Sequence, residues 1–142
     1  MRANAELLNF IYENARMGVV TIRQLLEIVK EGDFHRQLAS QLSEYETISS
    51  DAKAHMERHG IREEDVTPMQ KLSSYLIINM KTLTDQSDSN IAEMMLIGSV
   101  RGIAAASRHL REYQSADGEI RSLMETLLKL EERNIESLKG FL

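Results

Sequence analysis

Residues 127–142 read LLKLEERNIESLKGFL, and two polar side chains in that stretch are placed to do chemistry. The apolar residues recur every three or four positions, as one face of a helix does. Glu131 and Asn134 fall inside that stripe rather than opposite it. An inward carboxylate must ligate a cation, meet a donor or take up a proton, because an unpaired buried charge is costly. In helical bundles a Glu-x-x-His pair sets two metal ligands on one face. Here EERN keeps the glutamate and has asparagine where the histidine would stand.

A dinuclear site needs more carboxylates than this one. The matching inward positions elsewhere are Ala15 and Gly18 in the first long segment, and Ser99 and Gly102 in a later one. Glu13 and Glu93 turn well away from those seams at helical spacing. In EYET, Tyr45 faces inward, Glu44 lies on the flank, and Thr47 stands where a histidine belongs. One inward carboxylate does not hold two metal ions. The expectation is a core polar cluster of Glu131, Asn134, Tyr45 and Ser99, with Glu131 hydrogen-bonded to Tyr45 or another inward polar group and no catalytic residue or cofactor. The alternative is a metal-dependent oxidoreductase binding iron or manganese, with Glu131, Glu44, His55 and His59 as the available ligands. A third reading is a small-molecule pocket around Tyr45, Ser99 and Glu131.

The histidines divide between chemistry and packing. His55 and His59 are four apart, the spacing of paired zinc ligands on a helix. Yet HMERH lacks the glutamate of H-E-x-x-H, no third ligand is identifiable, and both residues fall in a last helical turn. Imidazolium suits the carbonyl end of a helix, so end-capping is the expected role. His109 is expected to border the core, and His35, beside Asp33, to be solvated. Nothing in the chain has the order of a Ser-His-Asp triad, a glycine-rich phosphate loop or a nucleotide fingerprint.

The elements that must position these residues are all helical. One proline and seven glycines leave long runs of helix formers. The spacing predicts helices at about 4–31, 33–59, 68–86, 89–114 and 118–140. In the first, Leu8, Ile11, Ala15, Gly18, Ile22, Leu25 and Val29 form a bundle seam. Gly32 should stop it and Asp33 cap the next, whose inner face is Leu38, Leu42, Tyr45, Ile48, Ala52 and Met56. TPMQ at 67–70 is a strong helix start, with Met69, Leu72, Leu76, Met80 and Leu83 facing inward beyond it. Asn90 with Glu93 signals a further cap. The seam Leu8, Ile11, Ala15, Gly18, Ile22 is echoed by Ala92, Met95, Ser99, Gly102, Ala106, an internal repeat in residue class. It predicts two helix pairs, contact between the first and fourth helices near Gly18 and Gly102, and a crossover helix between the halves.

Composition narrows the function classes. Seventeen basic against 22 acidic residues give a net charge of −5, which argues against nucleic acid. No cysteine is present, which removes disulfides, thiolate nucleophiles and Cys-ligated zinc. The longest apolar-rich stretch, IAEMMLIGSVRGIAAAS, carries Glu93 and Arg101 and falls short of the ~20 apolar residues of a membrane span. A single cytoplasmic domain, without membrane or nucleic-acid partner, is expected. The fourth helix is apolar around most of its circumference and must be covered on two sides. Either the crossover helix or a second copy of the chain covers it, and a homodimer with the fourth or the third helix at its interface is expected. The eight methionines read as core filler.

The stretches IYENARMGVVTIRQLL, QLSEYETI, KTLTDQSDSNIAEMMLIGSVRGI and LLKLEERNIESLKGFL together make the chain resemble the ferritin-like superfamily, and more closely a set of short bacterial helical proteins within it. The resemblance implies a four-helix bundle with a long crossover and, for the superfamily at large, oxidoreductase or metal-storage chemistry. With its di-metal ligands largely absent, the chain is expected to be an interaction or oligomerisation protein.

Overall fold

The computed structural model describes residues 2–62 and 83–142. Among them are four helices and no strand: α1 (Arg2–Leu26), α2 (Gly32–Arg58), α3 (Asp88–Glu112) and α4 (Gly118–Lys139). The expected helix at 68–86 lies outside the described residues except for positions 83–86, which are not helical. The cap at Thr67 and the inward positions Met69, Leu72, Leu76 and Met80 also fall outside them. Leu83 is described, half-buried against the core.

The first helix stops at Leu26, five residues short of its expected end. A tightened last turn carries Glu27, Ile28 and Val29 back onto the carbonyls of Gln24 and Leu25. That bend lets Val29 drop into the core while the chain reverses. Gly32, at φ +93°, supplies a backbone conformation that favours glycine. Asp33 is not a cap: α2 has no side-chain cap, and Asp33 sits in its first turn paired with Arg36. There its charge suits the helix dipole. The cap of α3 likewise shifts, from Asn90 to Ser87, whose Oγ accepts from the Asn90 backbone N–H at 3.2 Å. Asp85 accepts from the Ser87 N–H, and Asn90 Nδ2 donates to the Asp85 carbonyl, so the turn's own side chains hold residues 85–87 out of the helix.

α1 packs along α2 and α3 along α4, each pair joined by a short connection. The hairpins meet chiefly through α4, against α1 and α2, with a smaller contact between α1 and α3. Contacts along the helices give the directions. Phe34 stacks near Phe141, Tyr45 meets Glu131 and His55 meets Glu119, so α2 and α4 are antiparallel. The Asp117 N–H donates to Asn4 Oδ1, so α1 and α4 begin at the same end. α2 and α3 both finish there, and α3 therefore starts at the other end. Residues 59 and 87 thus lie toward opposite ends of the bundle, a helix length of ~37 Å for the 25 residues of α3.

The core is built as the apolar spacing requires. Leu8, Ile11, Ala15, Ile22, Leu25 and Val29 are buried, as are Leu38, Tyr45, Ile48, Ala52 and Met56. α1 is buried on more of its circumference than one seam, with Leu7, Phe10, Tyr12 and Val19 also inside. The two seam glycines face different neighbours. Gly18 lies under the Tyr45 ring, and Gly102 faces Asn14 of α1 and Glu131 of α4. α1 and α3 thus touch one turn away from Gly18. On α3, Ile97 (41%) and Val100 (49%) are the exposed large hydrophobics of the helices among the described residues. No helix among the described residues is long and apolar enough to cross a membrane.

Candidate functional site

Tyr45 reaches the middle of the bundle because Gly18 has no side chain. A Cβ at position 18 would lie 2.7–2.8 Å from three carbons of the Tyr45 ring, closer than packed atoms approach. The ring instead lies on the α1 backbone, and its hydroxyl extends to α4. It donates to Glu131 Oε1 at 2.6 Å, and Asn134 Nδ2 donates to the Tyr45 oxygen at 3.2 Å. The result is a chain of donors, amide to phenol to carboxyl, closed inside the core. Ser99 of α3 is buried beside the same two groups, close enough for its hydroxyl to lower the pKa of each. All four residues expected in the polar cluster come together, each under 9% exposed.

Burial sets the electrostatics of this cluster. Desolvation raises the Glu131 pKa, and hydrogen bonds from Tyr45 and Ser99 work against that rise. Tyr45 is pushed well above the ordinary phenol range, first by desolvation and then by the adjacent Glu131 charge and hydrogen bond. The phenol therefore keeps its proton and serves as a donor. A carboxyl and a phenol so paired hold the helices in register, and a single carboxyl is a poor start for a cation site.

Three further polar side chains are buried on the inner faces of α1 and α2, where residue type alone does not mark them. Asn14 Nδ2, Thr21 Oγ1 and both polar atoms of Gln41 have no hydrogen-bond partner among the described residues. Asn14 Nδ2 and the Glu131 carboxyl flank the same spot beside Gly102, each within 3.8 Å of where a Cβ would be. Their spacing was legible: Gln41 is four residues before Tyr45, and Asn14 four before Gly18.

Of the expected metal ligands, the two histidines come together but lie apart from Glu131 and Glu44. Glu44 lies on the flank, 44% exposed, paired with Arg133 at 3.6 Å. His55 and His59 are at the far end of α2, with His55 ten residues, ~15 Å, beyond Tyr45. They face the start of α4 instead. His55 Nδ1 and His59 Nε2 each lie 3.7 Å from Glu119 Oε1, and His59 Nε2 is 3.9 Å from Asp117 Oδ2. His59 is also the C-cap residue of α2, its backbone N–H bonded to the His55 carbonyl. The capping role thus belongs to the His59 backbone, while the two rings turn toward acids on another helix. Arg58 Nη2 lies 2.6 Å from His55 Nδ1. The third group that the sequence did not reveal, Glu119, comes from 60 residues further along the chain.

The other histidines are packing residues. His109 rests against Phe10, ring centroids 4.3 Å apart, and its Nδ1 meets the Ala105 carbonyl. His35 is not solvated: half-buried, it holds the Val29 carbonyl at 2.9 Å and so secures the α1–α2 reversal. Comparison with protein-family models, curated proteins and solved structures finds no match to this chain.

Proposed function

We propose that the protein is a ferritin-like bundle without a di-metal core, acting as an interaction protein that self-associates through α3. The observation that carries this reading is the exposure of Ile97 and Val100 on one face of α3. Monomers rarely leave contiguous apolar patches open, and such patches mark contact surfaces. A second copy is the partner that fits. Glu93 and Arg101 stand four residues either side of Ile97, so two α3 helices packed antiparallel about Ile97 bring each Glu93 against the other copy's Arg101. The parallel course of α2 and α3, the end of one and the start of the other lying at opposite ends of the bundle, supports the ferritin-like frame. The Tyr45–Glu131 bond supports a structural core in place of a catalytic one, and a cytoplasmic setting suits a cysteine-free chain. Light scattering at tens of micromolar, on the order of ordinary weak association, tests it. A dimer that Val100→Glu converts to a monomer is expected, and a monomeric wild type contradicts the reading.

The unpartnered Asn14 amide beside Glu131 favours a second reading, a small polar molecule held in the core. Native mass spectrometry of freshly purified protein would then show a bound mass that Asn14→Leu removes. A spectrum with no adduct opposes it.

A further inference from the structure

We propose that His55, His59 and Glu119 form a binding site for one zinc-class transition ion, with Asp117 at its edge, clamping the end of α2 to the start of α4. The proposal is independent of self-association through α3. The three ligand atoms lie within 4.8 Å of one another, two nitrogens and one carboxylate oxygen. Zinc sits ~2.0–2.2 Å from such donors, which sets donors about 3.3 Å apart in a tetrahedron. The observed separations of 3.7 Å from Glu119 to each imidazole therefore close by rotation of side chains, with no movement of helices. Two imidazoles on one helical turn and a carboxylate from another helix form a His₂Glu set, which leaves a fourth position for water or Asp117.

The donor types select the ion. Imidazole suits zinc, nickel and copper, while calcium and magnesium take oxygen ligands throughout. The site is also built for entry. His55 is withdrawn, its side chain 14% exposed, whereas His59, Asp117 and Glu119 are more open to solvent at 26%, 44% and 58%. A simpler use of the same residues is ion pairing of protonated histidines at the negative end of α2 with acids at the positive end of α4. Arg58 separates the two readings. Its Nη2 lies 2.6 Å from His55 Nδ1, the nitrogen that faces Glu119, and 3.2 Å from Nε2, so it crowds the ring that a metal ion has to bind. Arg58 is a competitor of the metal, and removing it should tighten binding.

The test is titration of the full-length, tag-free, chelator-treated chain with Zn(II), Ni(II) and Co(II), with Mg(II) as control. One ion per chain is expected, with a rise in melting temperature of roughly 5–10 °C at a free ion concentration ~100 times Kd. Magnesium should do nothing. Losing a direct ligand costs at least the ~10-fold seen when an outer-shell partner is lost. His59→Ala and Glu119→Gln should therefore weaken zinc by that factor or more, and Arg58→Ala should strengthen it. Helical circular dichroism in chelator checks that each variant folds. Bound Co(II) should give the intense visible absorption of a low-coordinate site, altered by Glu119→Gln. No zinc binding at 100 micromolar (a concentration on the order of a weak site), or binding indifferent to both ligand substitutions, overturns the proposal.

Discussion

Glu131 carries the physical argument at the level of single residues. Its place in an apolar stripe announced a buried acid, and Tyr45 was the inward donor that helical spacing offered. The structure joins the two at 2.6 Å. Because an amide keeps one acceptor for the Tyr45 hydroxyl, Glu131→Gln should change stability by within about 1 kcal/mol near neutral pH. Tyr45→Phe should cost more, about 1–3 kcal/mol, since it leaves both the Glu131 carboxyl and the Asn134 amide short of a buried partner. Acidity provides a further check. Burial raises the Glu131 pKa on folding, so over the window above the ordinary glutamate value the folded protein binds more protons than the unfolded chain. Glu131's contribution is then greatest below the unfolded pKa and declines as pH rises through the folded one. Urea denaturation from about pH 5 to about pH 7 should show Glu131→Gln gaining on the wild type as pH rises. A difference that is flat or runs the other way contradicts the raised pKa.

At the level of elements, the paired glycines separate two kinds of close approach. Gly18 is needed: a methyl there would strike the Tyr45 ring near its root and push the hydroxyl off Glu131. Gly18→Ala should destabilise by about 1–3 kcal/mol despite the better helix propensity of alanine. Gly102 is different. A Cβ there meets Asn14 and Glu131 at 3.7–3.8 Å, ordinary contact, so Gly102→Ala should be neutral or stabilise by up to about 1 kcal/mol. Thermal melts of the two variants should move in opposite directions or nearly so. The helices themselves were legible because the 3.6-residue period survives across each one, and the inner faces of α1 and α2 follow it closely. Their ends were less legible, since Val29 keeps the apolar period after the helix has stopped. Ser87 was missed as a cap because Asp88, Ser89 and Asn90 are capping residue types as well. The internal repeat identified both glycines but not their neighbours, because residue class does not specify which helix each one faces. Glu119 was out of reach for a plainer reason: only tertiary structure brings it to His55 and His59.

In the whole molecule, α3 is, among the described helices, the one with an apolar face left open. Its apolar surplus was visible in the sequence, and the structure leaves Ile97 and Val100 open on one side. The absence of cysteine makes a direct measurement possible, because any thiol introduced is the molecule's only one. Two helices packed face to face have axes ~8–10 Å apart, and a disulfide forms when Cα atoms come within ~7 Å and the side chains point at each other. The residue on the two-fold axis meets that requirement. Ile97→Cys, mildly oxidised at the concentration where the protein is dimeric, should give a disulfide-linked dimer in high yield. Lys30→Cys, exposed in the α1–α2 connection, should stay largely monomeric under the same conditions. An Ile97→Cys chain that remains monomeric, or that cross-links no better than Lys30→Cys, would contradict self-association through α3.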